Sequence, residues 1–507
     1  MPLPQPTSFK HCSFQGRIGI ARADITPPVG VYCRNWGAAK HDVADSIHRP
    51  LTLTALAIAQ DRRVVAGDSP NGSKGPTDVN SPHGNDCLRG SQLNDPSNTA
   101  ADQRPLVLVD ADLGWWKTPS TFLDFQRRIE QALSLDSTRL IFALTHTHAG
   151  PPLMQPDASL PGSQLLQAWM TELIETTIAT IRQACQNMFP ATLDWHTGYC
   201  SLATERDLPS PQPQRSSGDP ARYLCGYNPR GAPDQTLLVG RITDSHGTLR
   251  GTLVNYACHP TTLAADNTAV SPDYVGAMRE TIQQATSAPA IFLLGMCGDL
   301  APRYQYVGDP SVADRHGRQL GFAALATLND MEPAKTSLDY CGVLESGAPL
   351  ALWQHRPCDV STQLQAVRQT VSLALKDWPT ASELEEQRLA CPDRALEERL
   401  RRRRDIRRGI GDGQRYAIAI HAWRIGDAVL VGSCCEAYSW LQQELRRRFA
   451  DRSLICMNLI NGSIGYLPPD SLYDSDVYPV WQTPFERGCL ESTLESMTGA
   501  IQDVLQA

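Results

Sequence analysis

Short apolar segments rich in β-branched residues alternate along this chain with longer segments in which apolar residues recur at every third or fourth position. Residues 106–109 and 140–145 have the composition of buried strands. Between them, Phe122, Phe125 and Ile129 are spaced as on one face of a helix. Such alternation is typical of proteins in which helices cover the faces of a sheet. The sequence therefore predicts the α/β fold class.

The same periodicities predict further elements along the chain. In order they are a helix over residues 165–185, a strand over 253–257, a helix over 274–284, a strand over 290–296, a hairpin of strands 416–423 and 428–432, a helix over 436–448 and a strand over 453–459. The hairpin turn is predicted at the sequence Ile-Gly-Asp, which separates the two hairpin strands.

Two stretches interrupt this pattern. Residues 68–103 consist almost entirely of turn-forming residues, so we predict a disordered surface insertion there. Residues 381–410 are predicted to form a charged helical insertion, which includes seven arginines in the run LEERLRRRRDIRRG. A solvated charged helix is the simplest interpretation of that run, and contact with an anionic surface is the alternative.

The charge balance and the cysteine pattern limit the class of protein. With 46 basic and 54 acidic residues the net charge is −8, which gives no overall basic field for nucleic acid. No apolar run approaches the ~20 residues of a membrane span, and the first ten residues, MPLPQPTSFK, do not have the pattern of a secretory signal. The fifteen cysteines form no CxxC pair. We therefore expect a cytoplasmic protein with no nucleic-acid partner and no membrane span, and the oligomeric state is left open.

Polar residues follow several predicted strands at the point where each strand ends. His146 and His148 come directly after residues 140–145, and side chains two apart on a strand point to the same side. In open α/β sheets, ligand sites form beyond the carboxyl ends of the strands. The segments that we expect to converge there carry His146, His148, His259, Asp299, Glu436 and Tyr466.

His146, His259 and Glu436 have the chemistry of a catalytic zinc site. Such sites use imidazole and carboxylate ligands and commonly keep one position open for water. Bound zinc activates water and polarises a carbonyl, so the set predicts hydrolysis of an amide or ester without a serine nucleophile. Each residue also has a simpler explanation: a His-x-His pair often binds no metal, His259 can end a strand, and Glu436 suits a first helical turn.

Several motifs resemble those of the neutral ceramidase family, in particular its neutral/alkaline non-lysosomal ceramidase N-terminal catalytic domain. The similar segments are GIARADITPPVG at 19–30, IHRPL at 47–51, THTH at 145–148, NYACHPT at 255–261, SPDYVG at 271–276 and GDLAP at 298–302, with Tyr466 at the position of the family's tyrosine. The resemblance identifies the chain as a divergent member. It implies one hydrolase domain over residues 14–505, with a mixed sheet and flanking helices.

The resemblance also implies roles for single residues. One zinc ion per chain would be held by His146, His259, Glu436 and Tyr466. His148 would bind or protonate the reacting group, and Arg206 would orient the substrate. Asp299 of the GDLAP segment is also carried over as a catalytic residue. The implied reaction is hydrolysis of an amide bond, in a ceramide or another N-acyl lipid, by zinc-activated water.

One departure from the family pattern concerns the GDLAP segment. Where the family has a serine that is assigned a direct role in the active site, this chain has Ala301. The substrate therefore stays open between an N-acyl lipid and a small polar amide or ester. A noncatalytic homologue that keeps the site for metal or ligand binding is a further alternative.

Overall fold

The computed structural model describes residues 7–61, 104–212 and 220–506. The insertion predicted over residues 68–103 lies outside these ranges. The strands are β1 (Ser8–Phe9), β2 (Cys12–Asp24), β3 (Ser46–Ile47), β4 (Thr52–Ala59), β5 (Leu106–Ala111), β6 (Leu140–Leu144), β7 (Phe189–Tyr199), β8 (Ala203–Glu205), β9 (Asp207–Pro209), β10 (Tyr223–Cys225), β11 (Thr236–Asp244), β12 (Leu249–Tyr256), β13 (Ala269–Val270), β14 (Ala290–Leu294), β15 (Leu300–Pro302), β16 (Thr336–Glu345), β17 (Pro349–Pro357), β18 (Leu364–Ala374), β19 (Arg415–Ile425), β20 (Ala428–Ser433), β21 (Cys435–Ala437), β22 (Leu454–Met457) and β23 (Gly465–Leu467).

The helices frame these strands. They are α1 (Pro119–Leu133), α2 (Ser163–Gln186), α3 (Tyr274–Thr286), α4 (Pro310–Asn329), α5 (Ala381–Leu389), α6 (Arg394–Ile410), α7 (Ser439–Arg448), α8 (Tyr478–Gln482) and α9 (Cys489–Gln506), and a 3₁₀ turn covers Asp470–Leu472. Within the described ranges, none of these helices combines the length and apolar composition that a membrane span requires.

Two sheets carry the architecture. The central sheet has eight strands in the order β14-β12-β11-β7-β2-β4-β5-β6, and the second sheet has four in the order β18-β19-β20-β22. The pairs β12–β14, β5–β6 and β20–β22 are parallel, whereas the other neighbours in these two sheets are antiparallel. The predicted mixed sheet with flanking helices is confirmed.

Successive residues of a strand face opposite sides of the sheet, which explains why the two sheets stack. In β5, Leu106 and Leu108 pack into the core shared with the second sheet, whereas Val107 and Val109 pack into the core beneath α1–α4. The β20 strand alternates in the same way, and its Val429 packs toward α7 and α9. Because both faces of β5 and β20 are buried, these strands are apolar apart from Asp110 and Ser433. The result is a helix–sheet–sheet–helix stack.

The arginine-rich run is helical, as the sequence predicts, and forms α6. Asp393 caps its start by accepting hydrogen bonds of 2.8 Å from the backbone N–H groups of Ala395 and Leu396. Its environment differs from the simplest expectation of a solvated helix, because Glu398 and Arg407 are buried. That α5 and α6 are an insertion in the hydrolase domain stays a prediction.

Candidate metal centre

Three buried side chains meet beyond the carboxyl ends of β6 and β12. The Nε2 atoms of His146 and His259 lie 3.3 and 3.1 Å from Oε2 of Glu436. One ligand atom from each residue falls within 4.8 Å of the other two. His146, His259 and Glu436 therefore form a candidate metal-binding triad.

The outer ring nitrogen of each histidine is held by the backbone. Nδ1 of His146 donates to the carbonyl oxygen of Gly114 at 3.1 Å, and Nδ1 of His259 donates to that of Cys297 at 2.6 Å. With a proton on Nδ1, the lone pair of each Nε2 faces the triad. Burial and the nearby Arg206 guanidinium together lower the pKa of His259 to about 3, so this imidazole is neutral.

The backbone at the end of β6 is shaped for this arrangement. His146 has a φ angle of +69°, in the left-handed region that non-glycine residues rarely adopt. Its backbone N–H donates to the carbonyl oxygen of Leu113 at 2.8 Å, which holds the turn. Backbone strain of this kind is typical of functional sites.

Glu436 and Tyr466 reach the site on two short strands. Glu436 lies in β21 and Tyr466 in β23, and these parallel strands pair with Glu436 opposite Tyr466. Both side chains line the same cavity as His146. Burial raises the pKa of the Tyr466 phenol well above its usual range, and the nearby Glu436 carboxylate raises it further.

Opposing effects set the charge of Glu436. Burial raises the pKa of its carboxyl group, but the imidazoles of His146 and His259 lower it more, so the net pKa lies well below its usual range. The carboxylate is therefore ionised. Two imidazoles and one carboxylate, all buried, form a donor set that fits zinc.

His148 stands beside the triad between two indole rings. Its Nε2 lies 3.4 Å from Nε2 of His146. The ring centroids of Trp115 and Trp36 lie 4.8 and 5.2 Å from that of His148. Burial lowers the pKa of His148 well below its usual range, so its imidazole is neutral.

Arg206 approaches from the other side of Tyr466. Its guanidinium carbon lies 5.4 Å from the centroid of the Tyr466 ring, and its Nη2 donates to the carbonyl oxygen of Gly298 at 2.6 Å. The guanidinium is buried and its Nε–H has no hydrogen-bond partner among the described residues. The Arg206 guanidinium thus lies beside Tyr466, one of the candidate ligands.

Asp299 is placed differently from the other candidates. Its carboxylate oxygens accept hydrogen bonds of 2.6 Å from the backbone N–H and the hydroxyl of Ser439, at the start of α7. Its carbonyl oxygen accepts the backbone N–H of Arg206 at 2.9 Å. These contacts fix the start of α7 and the backbone of Arg206, and the catalytic role implied for Asp299 stays a prediction.

Known proteins resemble this chain in structure rather than in sequence. No protein-family model matches the chain, and no curated protein is similar to it in sequence. Its structure is similar to the crystal structure of neutral ceramidase from Pseudomonas aeruginosa, with a TM-score of 0.61 at 16% identity, over 98% of this chain and 75% of that one. It is also similar to a ceramidase complexed with C2, with a TM-score of 0.63 at 15% identity, over 98% and 76% of the two chains.

The chain has the neutral ceramidase fold. The resemblance predicted from the motifs is confirmed at this level. Ala301, the departure from the family pattern, is fully buried in β15, and its carbonyl oxygen accepts the hydroxyl of Thr204 at 2.9 Å. A methyl group at position 301 therefore packs inside the ceramidase fold and offers no hydroxyl.

Two spaces lie beside the triad. An inner cavity, whose empty volume of about 560 Å³ includes open solvent, is lined by His146, Glu436 and the side chains of Trp115, Lys117, Arg402 and Gln482, among others. An outer cleft of about 1420 Å³, including its open mouth, contains Arg206 and Tyr306. His148 and Tyr466 line both spaces. Lys117, Arg402 and Gln482 were not predicted as site residues, because each lies in an element without a recognisable sequence motif.

A serine–histidine–aspartate chain lies elsewhere in the fold. Nδ1 of His48 is 2.9 Å from Oγ of Ser271, and its Nε2 is 3.2 Å from Oδ1 of Asp314. Ser271 is fully buried and also accepts the backbone N–H of Asp273 at 3.0 Å. None of these three residues lines either of the two spaces beside the triad, so the group lies outside the candidate site.

Proposed function

We propose that this protein is a zinc-dependent hydrolase of amide bonds. The observation that carries the proposal is the convergence of Nε2 of His146, Nε2 of His259 and Oε2 of Glu436 in a buried site whose imidazoles are held by backbone carbonyls. Tyr466, opposite Glu436 in the paired strands, would complete the ligand set. Zinc, when bound there, supplies Lewis acidity toward the amide carbonyl and the attacking water.

The chain's own residues would handle the proton and the substrate. The neutral imidazole of His148, with Nε2 beside the triad, is placed to accept a proton from the attacking water and return it to the leaving amine. The guanidinium of Arg206, which lines the outer cleft beside Tyr466, would orient the substrate from that side. Trp115 and Trp36 would keep the His148 ring in its orientation.

Two substrate classes follow from the two spaces. A ceramide or another N-acyl lipid is supported by the likeness to solved ceramidases and by the large outer cleft. A small polar amide is supported by the inner cavity, which presents the charged Lys117, Arg402 and Asp405 close to the candidate ligands. Short-chain ceramide and short N-acyl amides, assayed side by side, separate the two classes.

The proposal is tested by metal content and hydrolysis, measured on the same preparations. Purified protein, dialysed without added zinc, should contain about one zinc per chain and release amine from short N-acyl substrates. The His259→Ala variant should lose the metal, and its activity should fall by more than about 100-fold, beyond the typical effect of an outer-shell change. His196→Ala, which alters a histidine outside the site, should match the wild type.

Two results contradict the proposal. One is full zinc occupancy in the His259→Ala protein, which removes this residue from the ligand set. The other is a wild-type protein that takes up no zinc on reconstitution. A protein that binds zinc but hydrolyses none of the amides would instead favour the noncatalytic metal-binding alternative.

A further inference from the structure

The inner cavity is lined by Lys117, whose ammonium group is incompletely paired. Nζ of Lys117 donates to Oδ1 of Asn35 at 3.2 Å and lies 3.9 Å from the ring centroid of Trp115. In the part of the chain that the structure describes, Lys117 forms no ion pair with an aspartate or glutamate. An ammonium group has three donors, so its hydrogen-bonding capacity is mostly unused.

The acidic residues near Lys117 are committed to arginines. Oε1 of Glu398 accepts from Nε of Arg402 at 3.2 Å, and Oδ1 of Asp405 accepts from Nη2 of Arg404 at 2.7 Å. Both carboxylates act to raise the pKa of Lys117, but their hydrogen bonds in the described chain go to arginines rather than to its Nζ. Burial lowers the pKa of Lys117 to about 7, the direction expected for an ammonium group with too little compensation.

Arg402, by contrast, is fully engaged. Besides Glu398, its guanidinium donates to the hydroxyl of Tyr478 at 3.4 Å and to the carbonyl oxygen of Asn35, and it lies 5.3 Å from the ring centroid of Trp115. It forms a wall of the cavity and adds positive potential. Lys117 is the cation left to bind a ligand.

Two further polar groups in the cavity wall have no partner. The side-chain oxygen of Gln482 and the indole N–H of Trp116 are buried, and neither makes a hydrogen bond with any described residue. Buried polar groups in native proteins are nearly always hydrogen-bonded. One unsatisfied acceptor and one unsatisfied donor beside a free ammonium group are what a cavity built for a polar ligand would contain.

From these contacts we infer that the inner cavity binds an amide substrate that carries an anionic group, a carboxylate or a phosphate, paired with Lys117. The inference rests on the proposed hydrolase function and narrows its substrate class. The ligand's anion would bind the ammonium group, and an N–H or O–H of the ligand would satisfy the oxygen of Gln482. An uncharged headgroup, such as that of a ceramide, would leave Lys117 without a counterion.

Binding of matched probes tests this inference without relying on catalysis. Protein treated with a chelator is titrated calorimetrically with N-hexanoylglycine, N-hexanoyl phosphoethanolamine and the uncharged N-hexanoylethanolamine. Without metal, neither hydrolysis nor coordination of the anion to zinc contributes. At least one anionic probe should bind about tenfold or more tightly than the uncharged probe, because a charge-assisted hydrogen bond contributes more than a neutral one. The preferred anion identifies a carboxylate or a phosphate site.

Lys117→Met and Lys117→Gln should abolish this preference and keep the affinity for the uncharged probe. Lys376→Met is the matched control, since Lys376 is another partly buried lysine beside a ring, that of Tyr473, and does not line the cavity. It should retain the wild-type preference. Equal affinity for all three probes, absence of binding, or a preference that survives in both Lys117 variants would overturn the inference.

The binding result also separates the proposal of an anion site from the proposal of an amide hydrolase. A Lys117-dependent preference in a protein that holds no zinc and hydrolyses no amide would leave the anion site standing and refute the hydrolase. Hydrolysis of uncharged amides with no preference for the anionic probes would refute the anion site and leave the hydrolase standing.

Discussion

Two of the buried charged groups in the described part of the molecule differ in how they are paired. In the first, between the central sheet and α3, Nη1 of Arg279 donates to both carboxylate oxygens of Asp112 at 2.6 and 2.7 Å, and Nη2 donates to Asp110 at 2.6 Å. In the second, in the inner cavity, the ammonium group of Lys117 contacts an amide and an indole and forms no ion pair with a carboxylate of the described residues.

This difference separates structure from function. In the Arg279 group the charges face opposite charges inside the core, although Nε of Arg279 and Oδ1 of Asp110 make no hydrogen bond with a described residue. The Lys117 group lines a cavity beside the candidate metal centre and has unused donors. A buried charge is costly unless it is paired. The unpaired group therefore marks the place where a ligand would supply the missing charge.

The largest expected effect comes from breaking the paired group. Arg279→Met leaves the carboxylates of Asp110 and Asp112 buried without their main partner, so the free energy of unfolding should fall by about 3–5 kcal/mol. Urea denaturation followed by circular dichroism measures it. Zinc content per folded molecule should not change. A loss below about 1 kcal/mol would show that the ion pairs of Arg279 contribute little to stability. The distinction between the paired and the unpaired group would then fail.

A smaller effect is expected at Asp299, whose carboxylate is paired with Ser439 rather than directed at a substrate. Asp299→Asn weakens two hydrogen bonds, so stability should fall by about 1–2 kcal/mol and kcat/KM by less than about tenfold. Zinc content and the pH profile should stay as in the wild type. A general acid or base at this position would instead cost about 100-fold or more and alter the pH profile.

The smallest effect is expected at Lys117, where the substitution should raise the free energy of unfolding instead of lowering it. Because the pKa of Lys117 falls from 10.5 to about 7 on folding, the unfolded chain holds the extra proton between these values, and wild-type stability rises with pH across that window. Lys117→Met removes the penalty. The variant should be more stable than the wild type by about 1 kcal/mol or more near pH 6, with the advantage shrinking toward pH 10.

Urea denaturation near pH 6 and near pH 9.5 measures that difference, with Lys376→Met as the control for a lysine outside the cavity. A Lys117→Met protein that is less stable than the wild type at the lower pH would mean that Lys117 has a stabilising partner. The distinction between the paired and unpaired groups would then be lost.

The sequence predicted the parts of the molecule that follow local rules. Strand and helix periods located β5, β6, β12, β14 and the helices near them, and the fold class is confirmed. The central strands β2, β4, β7 and β11 were not predicted. Their register depends on long-range pairing, such as Cys12 opposite Trp195 across 183 positions, which periodicity alone does not encode.

The residues of the candidate site also divide into those that the sequence predicted and those that it did not. His146, His259 and Glu436 stand directly after apolar segments, so their convergence followed from the rule for sheet edges. Lys117, Gln482 and Arg402 have no such signal. Arg402 lies in a run that composition alone assigns to a solvated face, yet its long side chain reaches inward to Tyr478 and Trp115. Long polar side chains are placed by tertiary packing, which the sequence pattern does not disclose.

Anomalous X-ray scattering at the zinc absorption edge, from crystals of protein purified without added metal, tests the central claim most directly. The account predicts one strong anomalous peak per chain, between Nε2 of His146, Nε2 of His259 and Oε2 of Glu436. Zinc-soaked crystals with no peak at that position, or with a peak only elsewhere, would contradict the account.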